Sequence, residues 1–295
     1  MYSVDFSSVE HIKDDWDVSF IGIHSDDRDV CVKEFLENAS NDCLSAEYIP
    51  SEMSILINGV SVELHLLEDK FNKYSDKSIV IDATSMSVGE LYLIGKHLYL
   101  AGARSVDVMY AEPEEYTKDG IDSFALSDSG IGFSGSGIPT LTFPQDDDKQ
   151  ILVFLGYEGD RLSDALEVLQ AKPDQVTLIF GVPSYKLNWE KNSYNGNLRV
   201  IIENQLLERF QFAGANNSKA TMNKLQEVYY ECVRNDQQLV IVPIGTKPQA
   251  ISALPFVAKN NDGSVSVLWD QPIRKVGRTK GISTISLTKD VFTDV

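Results

Sequence analysis

Residues 239–259 read LVIVPIGTKPQAISALPFVAK, a sequence typical of a strand, a loop and a helix. Its first residues are apolar, as in a strand that is covered on both faces of a sheet, and a glycine-containing loop follows. Thr246 is well placed to cap a helix and Pro248 suits the first helical turn, so the spacing predicts a helix after Gly245. A buried strand that runs through a short polar loop into a helix is the repeating unit of doubly wound α/β sheets.

The same alternation continues through the second half of the chain. Helices are predicted from DRLSDALEVLQA, GNLRVIIENQLLERF and SKATMNKLQEVYYECVRN. The strands predicted between them are QILVFLG, QVTLIFG, FQFAGA, LVIVPIG and SVSVLWD. Near-continuous apolar strands that alternate with helices predict parallel βαβ units, and therefore a Rossmann-like three-layer α/β domain.

The first half is also predicted to be an α/β domain. VSFIGIH indicates a strand before a helix, and SIVIDATS begins a strand–helix–strand unit. Asn58-Gly59 between two apolar runs predicts a β-hairpin, because a type I′ turn needs positive φ at both central residues. We therefore expect two Rossmann-like domains with mainly parallel sheets, the first with a β-hairpin addition.

The Gly, Ser and Pro content of residues 128–149 predicts a linker between these domains. The expected boundaries are 1–127 for an acidic α/β domain and 150–295 for the second domain. Its last segment, VGRTKGISTISLTKDV, is predicted to form a basic loop with a last edge strand or hairpin.

An internal echo links the two halves. Residues 78–113 and residues 238–272 each read as strand, polar loop, helix and strand, and they end in Tyr-Ala-Glu-Pro and Trp-Asp-Gln-Pro. Duplication of one domain would explain the echo. The alternative is that any two βαβ units look alike at this level.

Charge is distributed unevenly along the chain. Residues 1–148 hold 9 Lys and Arg against 29 Asp and Glu, whereas residues 149–295 hold 17 against 15. An acidic half repels polyanions, which argues against direct nucleic-acid binding by the first half. An anionic ligand is therefore expected in the second half.

Cysteine, histidine and hydropathy patterns exclude several classes of protein. The three cysteines are scattered and the four histidines are isolated, which predicts reduced thiols, no metal site and no cofactor. No stretch approaches the roughly 20 apolar residues of a membrane helix, and the N-terminal residues do not resemble a signal peptide. A cytoplasmic protein is expected.

The candidate ligand residues follow the predicted strands of the second half, because ligands of doubly wound sheets bind where strands end and helices begin. Lys247 has no obvious structural task beside Thr246 and Pro248, so a phosphate-binding corner is predicted there. The full predicted set is Gly156, Glu158, Gly159, Arg161, Lys219, Gly245, Thr246 and Lys247. For any one loop the alternative is ordinary turn and capping chemistry, which favours the same residue types.

Known phosphate motifs do not match these loops. The P-loop spacing G-x-x-x-x-G-K-[ST] is absent, and no G-x-G-x-x-G follows a predicted strand. GFSGSG, residues 132–137, is a weak lookalike because no strand precedes it.

The second half, residues 150–272, resembles the CRISPR-associated Rossmann-fold (CARF) sensor domains. The resemblance rests on LGYEGDRLSDALEVLQ, PDQVTLIFG and IGTKPQAISAL. It implies that Gly245, Thr246 and Lys247, with residues 156–161 opposite, bind phosphates or bases of a cyclic oligonucleotide across a homodimer cleft. The commonest family form is Gly-Gly-Thr-Lys-x-Met, whereas this chain has Ile244 and Gln249 in place of the first Gly and the Met.

Three functions are consistent with these patterns. The first is a nucleotide-binding sensor or accessory subunit of a bacterial anti-phage defence-type system, acting through a partner effector. The second is an enzyme for phosphodiester cleavage or glycosidic or phosphoribosyl chemistry, and the third is a non-catalytic scaffold in a larger complex. A carboxylate site in the first half is conceivable from His24, Asp82, Thr84, Ser85 and Glu90. We expect the residues of that group to be solvated loop residues instead.

Overall fold

The structure is a computed structural model that describes residues 1–23, 26–117, 126–128, 141, 148–275 and 277–293. The chain forms two compact units. Unit 1 comprises Met1–Thr117 and Arg274–Val295, and unit 2 comprises Lys118–Ile273. Unit 2 is therefore inserted into unit 1 along the chain. Most of the predicted linker, the GFSGSG segment and His24 lie outside the described residues.

Unit 1 is built on an eight-stranded sheet. Its strands are β1 (Tyr2–Phe6), β2 (Trp16–Ile21), β3 (Ser40–Ile49), β4 (Ser54–Ile57), β5 (Val60–Glu63), β6 (Ile79–Asp82), β7 (Val106–Tyr116) and β15 (Thr279–Lys289). Its α-helices are α1 (Asp27–Ala39), α2 (Leu67–Phe71) and α3 (Val88–Leu100). Short 3-10 turns cover Val9–His11, Pro50–Glu52, Leu64–Leu66 and Asn72–Tyr74.

The sheet of unit 1 has a parallel centre and antiparallel flanks. Its strand order is β1-β15-β7-β6-β2-β3-β4-β5. The four central strands β7, β6, β2 and β3 run parallel, while β15 and β4 pair antiparallel with the strands beside them. The predicted hairpin joins β4 to β5 through Asn58 and Gly59, with φ angles of 49° and 75° as a type I′ turn requires.

The C-terminal strand lies in a different place from the one predicted. β15 was expected in the second domain at an edge, but it lies between β1 and β7 in the sheet of unit 1. Ile285 and Leu287 alternate along it and enter the core that also holds Val32 and Leu36. The segment completes unit 1 because its apolar face covers that core.

Unit 2 contains a five-stranded parallel sheet between helices. Its strands are β9 (Lys149–Phe154), β10 (Val176–Gly181), β11 (Phe210–Ala213), β12 (Gln238–Val242) and β13 (Val265–Val267). Its helices are α4 (Gly159–Val168), α5 (Glu190–Glu203), α6 (Ser218–Asn235) and α7 (Lys247–Lys259), with a 3-10 turn at Pro173–Gln175. A two-stranded sheet also pairs β8 (Ser127–Asp128) with β14 (Ile273–Arg274).

The strand order of unit 2 is β11-β10-β9-β12-β13, which confirms the predicted Rossmann-like sheet. All four pairings are parallel. α4 packs against α5 and α6 against α7, so helices cover the sheet in layers. The chain starts in the middle at β9, proceeds to β11, and returns to β12 on the other side of β9. The neighbouring strands β9 and β12 therefore form the topological switch point, where ligands of such sheets bind.

The internal echo corresponds to a shared topology. In unit 1, β2 lies between β3 and β6, and β6 pairs with β7; in unit 2, β9 lies between β10 and β12, and β12 pairs with β13. The echoed segments are β6-α3-β7 and β12-α7-β13, at matching positions. Both α3 and α7 begin with a capping box, formed by Ser87 with Glu90 and by Thr246 with Gln249. Among the described residues, no helix is long and apolar enough to cross a membrane.

Candidate functional site

The predicted ligand loops meet at the carboxyl edge of the sheet in unit 2. A β-carbon added to Gly156, in the β9–α4 loop, would lie 2.2 Å from the carbonyl oxygen of Ile244, in the β12–α7 loop. One added to Gly245 would lie 2.9 Å from Cβ of Phe154. Close packing of the two loops therefore requires glycine at both positions, and the loops form one continuous floor at the switch point.

Gly159 has a packing role as well. Its added β-carbon would lie 2.1 Å from the carbonyl oxygen of Gly196, and one on Gly196 would lie 2.1 Å from that of Tyr157. The start of α4 and the middle of α5 thus approach backbone to backbone. The glycine pattern that suggested a phosphate loop is explained by these contacts.

Two buried side chains of α5 hold the β9–α4 loop. Ser193 Oγ and Asn197 Nδ2 each donate a hydrogen bond to the carbonyl oxygen of Gly156, both at 2.8 Å. Neither residue was singled out from the sequence. A signal was available, because both share the helix face of the buried Val200 and Ile201, where polar residues need a partner.

The start of α7 is closed by its own cap. Thr246 N donates to Gln249 Oε1 at 3.2 Å, and Gln249 N donates to Thr246 Oγ at 3.4 Å. Thr246 Oγ also donates to the carbonyl oxygen of Ala215 at 2.6 Å, and Pro248 has no N–H to offer. The predicted capping roles of Thr246 and Pro248 are confirmed.

Lys247 is the first residue of α7 and is half-buried. The capping box engages the N–H groups of residues 246 and 249, and Pro248 has none, so a cationic side chain at position 247 is a feature of this corner that favours an anion.

The start of α4 is arranged differently. Its N-cap is Glu158, and the Glu158 side chain makes no capping hydrogen bond. The Glu158 carboxylate instead accepts from Leu126 N at 3.0 Å and lies 3.8 Å from Arg161 Nη1. The first turn of α4, at the carboxyl edge of the sheet, therefore lacks the N-cap side-chain bond that Thr246 gives to α7.

Arg161 is engaged within unit 2. Its guanidinium donates to both carboxylate oxygens of Asp270, at 2.5 and 2.7 Å, and stacks over the Trp269 ring at 5.1 Å. The side chain of Arg161 is 17% exposed and that of Asp270 8% exposed. Asp270 follows β13, so this pair links the first turn of α4 to the strand at the far edge of the sheet.

The space between the starts of α4 and α7 at this edge of the sheet is called the crevice below. Carboxylates dominate its α4 side. Burial raises the pKa of Asp164, and the negative charges of Asp160, Glu167 and Asp270 raise it further. Glu158 and Asp270 both contact Arg161, so acids outnumber this arginine at the start of α4. On the other side of the crevice, the first residue of α7 is the cationic Lys247.

Lys219 lies outside this core arrangement. It is the second residue of α6, whose N-cap is Asn217, and its side chain is exposed. The β11–α6 loop before it reaches the β12–α7 loop through the bond between Thr246 and Ala215. Lys219 therefore follows a loop that contacts the β12–α7 loop, but it lies on α6 itself.

Unit 1 has the same close approach at its own switch point. A β-carbon on Gly22, after β2, would lie 2.7 Å from the backbone nitrogen of Met86, after β6. Here, however, both helix starts carry acidic capping boxes. Asp26 and Asp29 cap α1, and Glu90 caps α3, where the equivalent residue of α7 is the neutral Gln249. Unit 1 thus supplies its own negative charge at positions where an anion would bind.

The suggested carboxylate group of unit 1 is a buried hydrogen-bond network. Asp82 is fully buried and accepts from Thr84 N at 2.8 Å and from Ser85 Oγ at 2.5 Å. Ser85 Oγ accepts from Gly22 N at 2.7 Å, and burial raises the pKa of Asp82. The prediction of solvated loop residues was wrong for Asp82, Thr84 and Ser85. These polar groups satisfy one another inside the protein.

Two adjoining cavities lie at the opposite, amino-terminal edge of the unit 1 sheet. One of about 350 Å³ is lined by Asp15, Trp16, Asp17, Asn38, Ala39, Ser40, Asn41 and Ser78. The other, of about 370 Å³, is lined by Ile12, Lys13, Asp14, Asp15, Phe35, Asn38 and Ala39. Neither contains a residue of the predicted ligand loops.

No protein-family model matches this chain, and comparison with curated proteins finds no similar sequence. Among the described residues, no group of three or more His, Cys, Asp or Glu side chains could hold a metal ion.

Proposed function

We propose that unit 2 binds a nucleotide-type ligand, including cyclic oligonucleotides, at the crevice between the β9–α4 and β12–α7 loops. The observation that carries the proposal is the contact between Gly156 and Ile244 at the switch point. It brings Lys247 and the first turn of α4, whose N-cap side chain makes no capping bond, to the edge of the sheet where doubly wound folds bind ligands.

The charge pattern assigns the parts of the ligand. A phosphate belongs beside Lys247, because the acids around α4 repel it from the other side. Hydroxyl or amino groups of a nucleoside suit Glu158, because a carboxylate accepts hydrogen bonds from such donors. The site therefore favours a ligand with an anionic end and a neutral, donor-rich end.

The biological role proposed is that of a sensor or accessory subunit in a bacterial anti-phage defence-type system. The likeness of LGYEGDRLSDALEVLQ and IGTKPQAISAL to CARF sensor domains supports it, together with the Rossmann-like strand order of unit 2. In this role, ligand binding changes the contacts of the protein with a separate effector chain or with a second copy of itself.

A thermal-shift screen with cyclic and linear nucleotides tests the proposal. A ligand that binds only the folded state raises the melting temperature by mass action. We expect at least one nucleotide to raise it and Lys247→Ala to reduce that rise by at least half.

Lys259→Ala is the matched control. Lys259 is exposed at the other end of α7, so its removal deletes the same charge from the same helix far from the crevice. The proposal fails if no nucleotide shifts the wild-type protein, or if the two variants behave alike. Chromatography of the nucleotide after incubation separates the remaining functions, because an enzyme consumes its ligand and a sensor returns it intact.

A further inference from the structure

Arg161 was predicted to bind phosphate, but its geometry indicates another task. The guanidinium makes a bidentate pair with Asp270 and stacks over Trp269. A bidentate pair with an aromatic face fixes a guanidinium in position and in plane, which a single surface ion pair does not do.

The corresponding arginine of unit 1 makes the same kind of link. Arg28, in the first turn of α1, donates to the carbonyl oxygen of Ala111 at 2.7 Å and to both carboxylate oxygens of Asp26. Ala111 and Asp270 occupy the same place in the echoed Tyr-Ala-Glu-Pro and Trp-Asp-Gln-Pro sequences. In both units, an arginine at the start of the first helix is therefore bound to the chain after the echoed helix, within β7 in unit 1 and just beyond β13 in unit 2.

The surrounding charge opposes exchange of Asp270 for a ligand phosphate. Glu158 lies 3.8 Å from the guanidinium, and Asp270 is close enough to raise the pKa of Asp164. A phosphate that displaced Asp270 would leave a nearly buried carboxylate without its counterion and add negative charge beside the other acids. Loss of the pair between Arg161 and Asp270 would destabilise the protein. Its retention keeps the residues beside the crevice in place.

We infer that Arg161 is a positioning residue. With Asp270 it clamps the start of α4 to the end of β13, and this clamp holds Glu158 and Trp269 at the edge of the crevice. The structural part of this inference stands on the contacts alone, and only its effect on ligand binding rests on the proposed function.

A double-mutant cycle in the full chain tests the clamp without any ligand. Arg161→Ala and Asp270→Ala should each lower the melting temperature by about 5–10 °C, because each leaves a largely buried charge unpaired. The melting temperature of the double variant should be no lower than that of the less stable single variant, because both substitutions remove the same interaction. Arg199→Ala is the control, because Arg199 pairs with Glu203 on the exposed surface of α5 and should change the melting temperature by about 1 °C or less. Additive losses, or an Asp270→Ala variant as stable as wild type, would overturn the clamp.

The tryptophan emission spectrum of the folded protein tests the contact itself, because a general loss of stability does not change it. Arg161→Ala should change the emission of the folded protein, and this change should vanish in a Trp269→Phe background. An unchanged spectrum contradicts the stacking.

Nucleotide-induced thermal shifts complete the test. If Arg161 positions the crevice, Asp270→Ala reduces the shift as much as Arg161→Ala does. If Arg161 binds the phosphate, Asp270→Ala frees it and increases the shift, which overturns the inference. If no nucleotide raises the melting temperature of the wild-type protein, the proposed function is refuted. The double-mutant cycle and the tryptophan emission still test whether Arg161 and Asp270 form the clamp.

Discussion

The backbones of Gly156 and Ile244 pack against each other at the point where the strand order of unit 2 reverses. A β-carbon added to Gly156 would lie 2.2 Å from the carbonyl oxygen of Ile244. This contact joins the two loops that flank the candidate crevice. Gly22 and Met86 make the corresponding approach in unit 1.

Gly156→Ala should destabilise the protein by about 2–3 kcal/mol, because a methyl group cannot fit against a fixed carbonyl. Urea unfolding measures the change. Gly181→Ala is the comparator at the end of β10, where the nearest atom is the Ala215 side chain at 3.2 Å, and it should cost about 1 kcal/mol or less. Equal losses in the two variants would contradict the assigned geometry.

Asn197→Asp should cost about 3 kcal/mol, because a buried carboxylate cannot donate to the carbonyl oxygens of Gly156 and Ser193 that Asn197 now satisfies. Asn204→Asp is the control, since Asn204 lies partly exposed at the end of α5 and donates to a single carbonyl. Unfolding free energies compare the two. An Asn197→Asp protein as stable as Asn204→Asp would show that Asn197 does not hold the loop.

Ser85→Ala should destabilise unit 1 by about 1–3 kcal/mol, because it removes a donor from the buried Asp82 and an acceptor from Gly22 N. Ser286→Ala is the control on the surface, where the hydroxyl donates to an exposed Asp5, and should change stability by less than about 0.5 kcal/mol. Comparable unfolding curves for both variants would refute the network.

The burial of His97 should make the free energy of unfolding depend on pH. It is buried in α3, neither ring nitrogen has a hydrogen-bond partner among the described residues, and burial followed by the charge of Lys96 lowers its pKa from 6.5 to about 4. A lowered pKa means that the unfolded state binds more protons. The stabilisation is therefore complete above pH 6.5 and is lost as the pH falls towards 4, by on the order of 3 kcal/mol at most.

Unfolding at several pH values tests this sign. Relative to wild type, His97→Leu should lose less stability between pH 6.5 and 4.5, because Leu does not titrate. His65→Asn should follow wild type, since the His65 side chain is 70% exposed. Parallel curves for wild type and His97→Leu would mean that His97 stays solvated.

Local patterns in the sequence predicted most of unit 2. β12 and β13 are fully buried and β9 and β10 mostly so, which made their apolar runs easy to recognise, and the caps of α7 followed from residue spacing. β3 was missed, because it is half exposed and carries polar residues along most of its length. β15 was recognised as strand-forming, but its partner β7 lies far away in sequence, and local pattern does not specify which sheet a strand joins.

The sequence predicted which loops lie together at this edge of the sheet but not the contacts that their residues make. Gly156, Gly245 and Thr246 meet at one edge as expected, yet their contacts are with the protein itself. The partner of Arg161 is 109 residues away, and Asn197 acts on a loop from another helix. Spacing within one segment cannot reveal such long-range pairs.

Amide hydrogen exchange with and without the nucleotide that raises the melting temperature shows which segments the ligand contacts. We expect slower exchange on ligand addition in residues 156–161 and 245–249, an effect that Lys247→Ala weakens and Lys259→Ala leaves intact. Protection confined to other segments, such as residues 38–41 beside the cavities of unit 1, would contradict a ligand site at the switch point of unit 2.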